Sequence, residues 1–262
     1  MSSAVRSENE DPVDKAATLA ALRAQVRRLE GCLTGTIHPL GVSELDGWLP
    51  GGGLALGCIH EVGGAGAGDD GAAVGFAAVV LGRLATDGGR VLWLTRRDDL
   101  YPPGLAGLGL RPERLIPVPV RRDRDTLWAM EEALRHRRLA AVLGEVNDLD
   151  LVASRRLQLA AEGGGVTGLL LRPPASPPAA SAAVTRWRLA ATASIGISGL
   201  GPPRWRVELL RCRGGRPGQW VLEWTGDRLR GSPDADADQS KKLECPTQSS
   251  STTRLRPVAL AS

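Results

Sequence analysis

The sequence predicts an α/β protein, a mainly parallel sheet flanked by helices with a C-terminal antiparallel extension. Three observations predict it. Between residues 54 and 171, short apolar runs alternate with helix-like stretches, the pattern of strands buried on both faces by crossover helices. A glycine-rich loop, within "VGGAGAGDDGAAVG", joins the first apolar run to the first helix of that series. Beyond residue 184 the pattern changes to alternation of apolar and polar residues, which marks half-buried antiparallel strands.

Taken in order, residues 1–13 are polar and mixed in charge and read as disordered. Residues 14–33 read as an N-terminal helix. Leu19, Leu22, Val26 and Leu29 recur at spacings of three and four, Arg23, Arg27 and Arg28 fall on the remaining faces, Asp14 caps the start and Gly31 ends it. Its apolar stripe packs either on its own domain or on a partner protein. Residues 34–230 form the core. Strands are expected at 54–62, 90–95, 114–120, 139–146 and 166–171, and helices at 72–86, 124–138 and 149–162. Residues 98–112, rich in Pro and Gly, read as a loop or short helix. Three alternating strands follow at 185–192, 204–210 and 219–225. They send Trp187, Trp205, Trp220 and Trp224 to one face and arginines to the other. Residues 231–262 are polar and aperiodic and read as a disordered tail, in which "RLRPVALAS" is either a docking peptide or untethered sequence.

The chain of 262 residues suffices for one sizeable core plus appendages, and 42% hydrophobic content is ordinary for a globular protein. No apolar run is long enough to span a bilayer, and the polar N-terminus is not a secretory signal, so the expected location is cytoplasmic, with no membrane partner. Cys32, Cys58, Cys212 and Cys245 form no CxxC pair and read as scattered reduced thiols rather than a zinc site or disulfide framework. His38, His60 and His136 do not cluster with acids at ligand spacing and read as ordinary histidines. The net charge is +4, and because lysine occurs only at 15, 241 and 242, nearly all positive charge is arginine. A GC-rich genome accounts for that bias, although arginine also suits phosphate and carboxylate forks.

Residues 63–70 align with the phosphate-binding pattern GxxxxGK[ST]. Gly63 and Gly68 fall on its two glycines, with Gly64 and Gly66 between them, but Asp69 stands at the lysine position and Asp70 at the hydroxyl position. At about 4 Å and an effective dielectric near 20, each carboxylate facing a phosphate costs roughly 4 kcal/mol. The loop therefore reads as a degenerate P-loop, with a magnesium ion bridging both aspartates to phosphate as the less favoured alternative. The segment "HPLGVSELDGWLPGGGLALGCIHEVGG", through Ser43, Leu45, Asp46 and Gly51–Gly53, resembles the run into the P-loop of RecA recombinases. Together with "RWRVELLRCRGGRPGQWVLEW" and the overall length, it gives the chain, from about residue 22 to 230, a resemblance to the ImuA family.

That resemblance implies a RecA-like core. It also implies an accessory role in SOS mutagenesis and translesion DNA synthesis, beside an ImuB-type polymerase-like protein, an error-prone DnaE-type polymerase and RecA, with nucleoid association when engaged. RecA-like ATPases place a catalytic glutamate after the second core strand, where this chain has Arg96, Arg97, Asp98 and Asp99. At the Walker B position "LAAVLGEV" offers Gly144 and Glu145, and Glu145 is the one acid that could substitute. The chain is accordingly read as a non-catalytic adaptor without a cofactor. The alternatives are a RecA-like ATP-dependent DNA-binding protein and a SulA-like cell-division inhibitor. Arg186, Arg188, Arg204, Arg206, Arg211, Arg213 and Arg216 make up a candidate surface for DNA or a protein partner. "RRDRD" and "RHRR" read as a solvated helix start and a dipole-matched helix end.

Overall fold

A computed structural model describes residues 36–86, 88–173, 180–194 and 201–232. The readings for residues 1–13, for the helix at 14–33, for Cys32 and Cys245, and for the tail beyond Ser232 lie outside these residues. In chain order the elements are β1 (Ile37–His38), α1 (Ser43–Asp46), β2 (Leu54–Ala55), β3 (Ile59–Gly64), α2 (Asp70–Leu84), β4 (Arg90–Thr95), α3 (Pro102–Ala106), β5 (Leu115–Pro119), α4 (Asp123–Leu134), β6 (Leu139–Glu145), α5 (Leu151–Gly164), β7 (Thr167–Arg172), β8 (Thr185–Ala191), β9 (Arg204–Cys212), β10 (Gly218–Trp224) and β11 (Leu229–Gly231).

Nine strands form one mixed sheet in the order β11-β10-β9-β8-β3-β7-β6-β4-β5, and β1 pairs with β2 in a separate small ladder. From β8 to β5 the pairings are parallel, and from β8 to β11 they are antiparallel. Here the structure corrects the sequence reading of β8. It is the junction strand, parallel to β3 on one side and antiparallel to β9 on the other. The strand expected at 54–62 is also divided, because Gly57 takes a left-handed φ of 66° and turns the chain between β2 and β3. At the far edge, Pro117 and Pro119 lie in β5, which among the described residues pairs with β4 alone, and an edge strand is where proline is tolerated.

Helix α2 covers one face of the sheet. Its small residues, from Ala72 to Gly82, let it lie close to the strands, and Gly75 leaves room for the ring of Trp205. Trp187, Trp205 and Trp224 are buried on this face as the alternation predicted, with Phe76 of α2 5.8 Å from Trp187 and 6.5 Å from Trp205. The stretch before β2 packs on the same face through Leu40, Val42, Leu45 and Leu49. Its Ser-x-Leu-Asp element has a physical reason. Leu45 is fully buried, and the Asp46 carboxylate accepts the Leu40 and Gly41 amides, each at 2.8 Å, pinning the entry loop. Helices α4 and α5 cover the opposite face over Ile59, Leu94, Val142 and Leu170. Asp150 caps α5 by accepting the Ala153 amide at 2.6 Å, and Gly165 ends it with a φ of 72°.

His60 joins three elements. Its Nε2 lies 2.8 Å from the Ala55 carbonyl oxygen, which can only accept, so Nε2 carries the proton. Nδ1 then accepts from Thr185 Oγ1 at 2.7 Å, and that oxygen accepts from Trp187 Nε1 at 2.7 Å. The ring is completely buried, and burial lowers its pKa to about 4 against the partial offset of the Ala55 bond. Cys58 and Cys212 are free thiols, and burial raises the pKa of Cys212 to about 11, which keeps it out of the reactive thiolate form.

Candidate functional site

The carboxyl ends of the parallel strands lie around the glycine-rich loop. Open α/β sheets bind ligands in this region, beside the point where the strand order reverses. The chain reverses around β3, since α2 carries it across to β4 while β7 and β8 return to flank β3 on either side. Residues 63–70 run from the end of β3 to the start of α2.

Their chemistry differs from that of a phosphate cradle. Gly68, with a φ of 95°, turns the chain so that Asp69 sits at the N-cap of α2. The Asp69 side chain does not cap the helix. Its Oδ2 accepts the Gly66 amide at 3.1 Å, and its Oδ1 accepts the Ala191 amide at the end of β8 at 3.0 Å. The Asp69 amide in turn donates to the Gly66 carbonyl at 3.1 Å, closing the turn. Gly64 lies under this side chain, and a Cβ there would come within 3.2 Å of the Asp69 Cβ. The loop therefore holds a carboxylate of its own, tied to β8. Asp70 points elsewhere, its nearest cation being Arg97 at 3.9 Å, with both side chains well exposed. The two aspartates do not converge, and among the described residues no group of three or more His, Cys, Asp or Glu is placed to hold a metal ion.

Glu145 at the end of β6 is also committed. Its Oε1 accepts Trp93 Nε1 at 2.9 Å and its Oε2 accepts the Arg96 amide at 2.9 Å, so it fastens β6 to β4. Arg96 pairs with Asp123, which also accepts the Asn147 and Asp148 amides at 3.2 and 3.0 Å. These contacts wall a cleft of about 580 Å³ at the carboxyl ends of β4, β6 and β7. Its charged lining is balanced, with Arg96, Arg97 and Arg172 against Asp70, Asp99 and Glu145.

The arginines singled out in the C-terminal strands are more internal than the alternation suggested. Arg204 is buried, within 3.5 Å of Glu223, with its guanidinium donating to the Ala193 carbonyl and the Ser232 hydroxyl. Arg186 pairs with buried Glu61 at 2.6 Å, and Arg188 with Glu208. Arg211 and Arg213 donate to the Ser181 and Ala182 carbonyls at 2.6 and 2.8 Å, and Arg206 is half-buried. Arg216 stacks over Trp48 at 5.1 Å. Much of this positive charge is thus matched inside the fold. Sequence reasoning passed over Glu61, although a carboxylate in the buried run "CIHEV" signals a buried pair, and over Arg172 at the end of β7, for which the sequence carried no signal.

No established family profile matches the sequence. It is 48% identical over 198 residues to the protein ImuA of Caulobacter vibrioides strain NA1000, an alignment spanning 70% of this chain and 81% of that relative. The same figures hold for ImuA of C. vibrioides strain CB 15. The chain belongs to the ImuA family. Among solved structures, the crystal structure of SulA from Pseudomonas aeruginosa overlaps 44% of this ImuA-family chain and 97% of its own, at 24% identity, and its TM-score of 0.39 is too low to carry an argument. No helix among the described residues is long and apolar enough to cross a membrane.

Proposed function

We propose that this ImuA-family protein is a non-catalytic adaptor on a RecA-like core, acting in SOS-induced mutagenic translesion DNA synthesis. One observation carries the reading. The loop at the position of a phosphate cradle is occupied by the Asp69 carboxylate, with both oxygens engaged by backbone amides. In a nucleotide-binding loop such amides face phosphate, and a lysine neutralises it. Here an entering phosphate would have to displace a tethered anion and then face it. Glu145, the only acid at the Walker B position, is spent on Trp93 and Arg96. The balanced lining of the neighbouring cleft offers a polyanion no net attraction. A core of this kind retains the surfaces of an ATPase fold while doing no ATP chemistry, which suits it to join other proteins.

The family resemblance supplies the partners, namely an ImuB-type polymerase-like protein, an error-prone DnaE-type polymerase and RecA, in the cytoplasm and at the nucleoid when engaged. A pull-down of the tagged full chain from DNA-damaged cells tests this. Recovery of the polymerase proteins or RecA is expected, and recovery of none of them would sink the reading.

A further inference from the structure

We infer that the anion-binding capacity of this chain lies on the sheet face opposite α2, at the carboxyl end of β3, in a pocket of about 350 Å³ lined by Arg172, Arg186, Arg188 and Glu61, and that it takes an acidic side chain of a protein partner. The register builds the site. In parallel pairing Gly63 stands opposite Arg172 of β7 on one side and Arg188 of β8 on the other. Residues in direct register point to the same face, so two arginines flank a strand position without a side chain, their Cα atoms roughly 10 Å apart across two strand spacings. One step back along the same face, Glu61 stands opposite Arg186 and pairs with it. The face is the one that α4 and α5 cover further along the sheet. Among the described residues the pocket is bordered here by Leu149, before α5, by Ala180 and Ser181, and by Leu210 of β9.

Arg172 stands at the border of this pocket and the cleft beside α2, and on the pocket side it joins Arg186 and Arg188. Among the described lining residues, three guanidinium groups meet a single buried carboxylate. Arg186 is spoken for by Glu61 and Arg188 by the partly exposed Glu208, whereas Arg172 has no carboxylate partner among the described residues. A guanidinium fork matches a carboxylate in plane and charge. The surroundings favour one isolated acidic group over a nucleic-acid strand. The pocket is a recess rather than a track, and Glu208 stands beside it, paired with Arg188, where successive phosphates of a bound strand would meet it.

This inference rests on the adaptor reading and adds to it the chemistry of one docking point. Its test is the binding of a short fluorescein-labelled glutamate–glycine peptide to the full chain at low salt, followed by anisotropy. The wild type is expected to bind it, and the Arg172→Glu/Arg188→Glu pair to weaken binding by about tenfold or more. The exposed pair Arg124→Glu/Arg155→Glu, with the same change in total charge, should leave it nearly unchanged. If charge reversal disturbs folding, Arg172→Gln/Arg188→Gln serves instead and should still weaken binding severalfold. Equal affinity in the pocket pair and the wild type, equal loss in the control pair, or displacement of the peptide by a thymidine oligonucleotide through the same arginines would each overturn the proposal. Unchanged peptide affinity in the pocket pair, with partners still captured in the pull-down, would sink the pocket and leave the adaptor reading standing.

Discussion

His60 gives the fold a pH limit that can be worked out from one ring. Its pKa is about 4 in the folded protein, against 6.5 for an ordinary histidine. Above pH 6.5 the ring is neutral in both states and contributes no pH dependence. Between pH 6.5 and 4 only the unfolded chain takes up the proton, so stability falls as the pH falls, and below pH 4 the loss levels off because the folded ring also protonates. The full loss is about 3 kcal/mol. Denaturant titrations of wild type and His60→Gln at pH 7, 5.5 and 4 check this, and the variant should lose most of the slope in that window. At Asp69 the expectation concerns the loop. Asp69→Ala removes the acceptor of the part-buried Gly66 amide and of the exposed Ala191 amide, both of which can turn to water, and should cost about 1 kcal/mol, while Asp69→Asn, which keeps one acceptor, should cost less. Thermal melts of the two variants at neutral pH measure the difference.

At the scale of elements, the close packing of α4 on α5 makes two neighbouring glycines behave oppositely. A methyl group on Gly164 would run into the Leu134 carbonyl and the Arg135 backbone at the end of α4, whereas one on Gly163 would meet nothing within 4 Å. Gly163→Ala should therefore raise stability by a few tenths to about 1 kcal/mol through helix propensity, and Gly164→Ala should lower it by about 1–3 kcal/mol. Chemical denaturation of the two single variants gives both signs. The helices and central strands were legible because strands buried on both faces are continuous apolar runs, and the helices between them end at glycine or polar turns. The direction of β8 was not legible. Alternation reports that one face is less buried, but not whether the neighbouring strand runs parallel or antiparallel. The two-residue strands β1 and β2 and the short helix α1 are below the length at which any periodicity can be read. At the site, the inverted charge of Asp69 and Asp70 was plain in the sequence. That Asp69 would be held by an amide 122 residues away, and that Arg172 and Arg188 would flank Gly63, depends on strand order, which one sequence does not display.

Across the whole molecule the sheet joins two halves with different charge arrangements. The parallel half ends in a cleft whose charges cancel and a loop that carries its own anion. The antiparallel half sends its tryptophans into the core under α2 and uses most of its arginines to hold carboxylates and carbonyls in place. On the sheet face opposite α2, Arg172, Arg186 and Arg188 meet Glu61 as the one lining carboxylate among the described residues. The proposed function holds that residues 63–70 bind no nucleotide, because the Asp69 carboxylate takes up the Gly66 amide. Titration of the full chain with a fluorescent ATP analogue in the presence of magnesium tests it most directly. The account predicts no saturable signal for the wild type, and saturable, magnesium-dependent binding that disappears in Asp69→Ala/Asp70→Ala would contradict it.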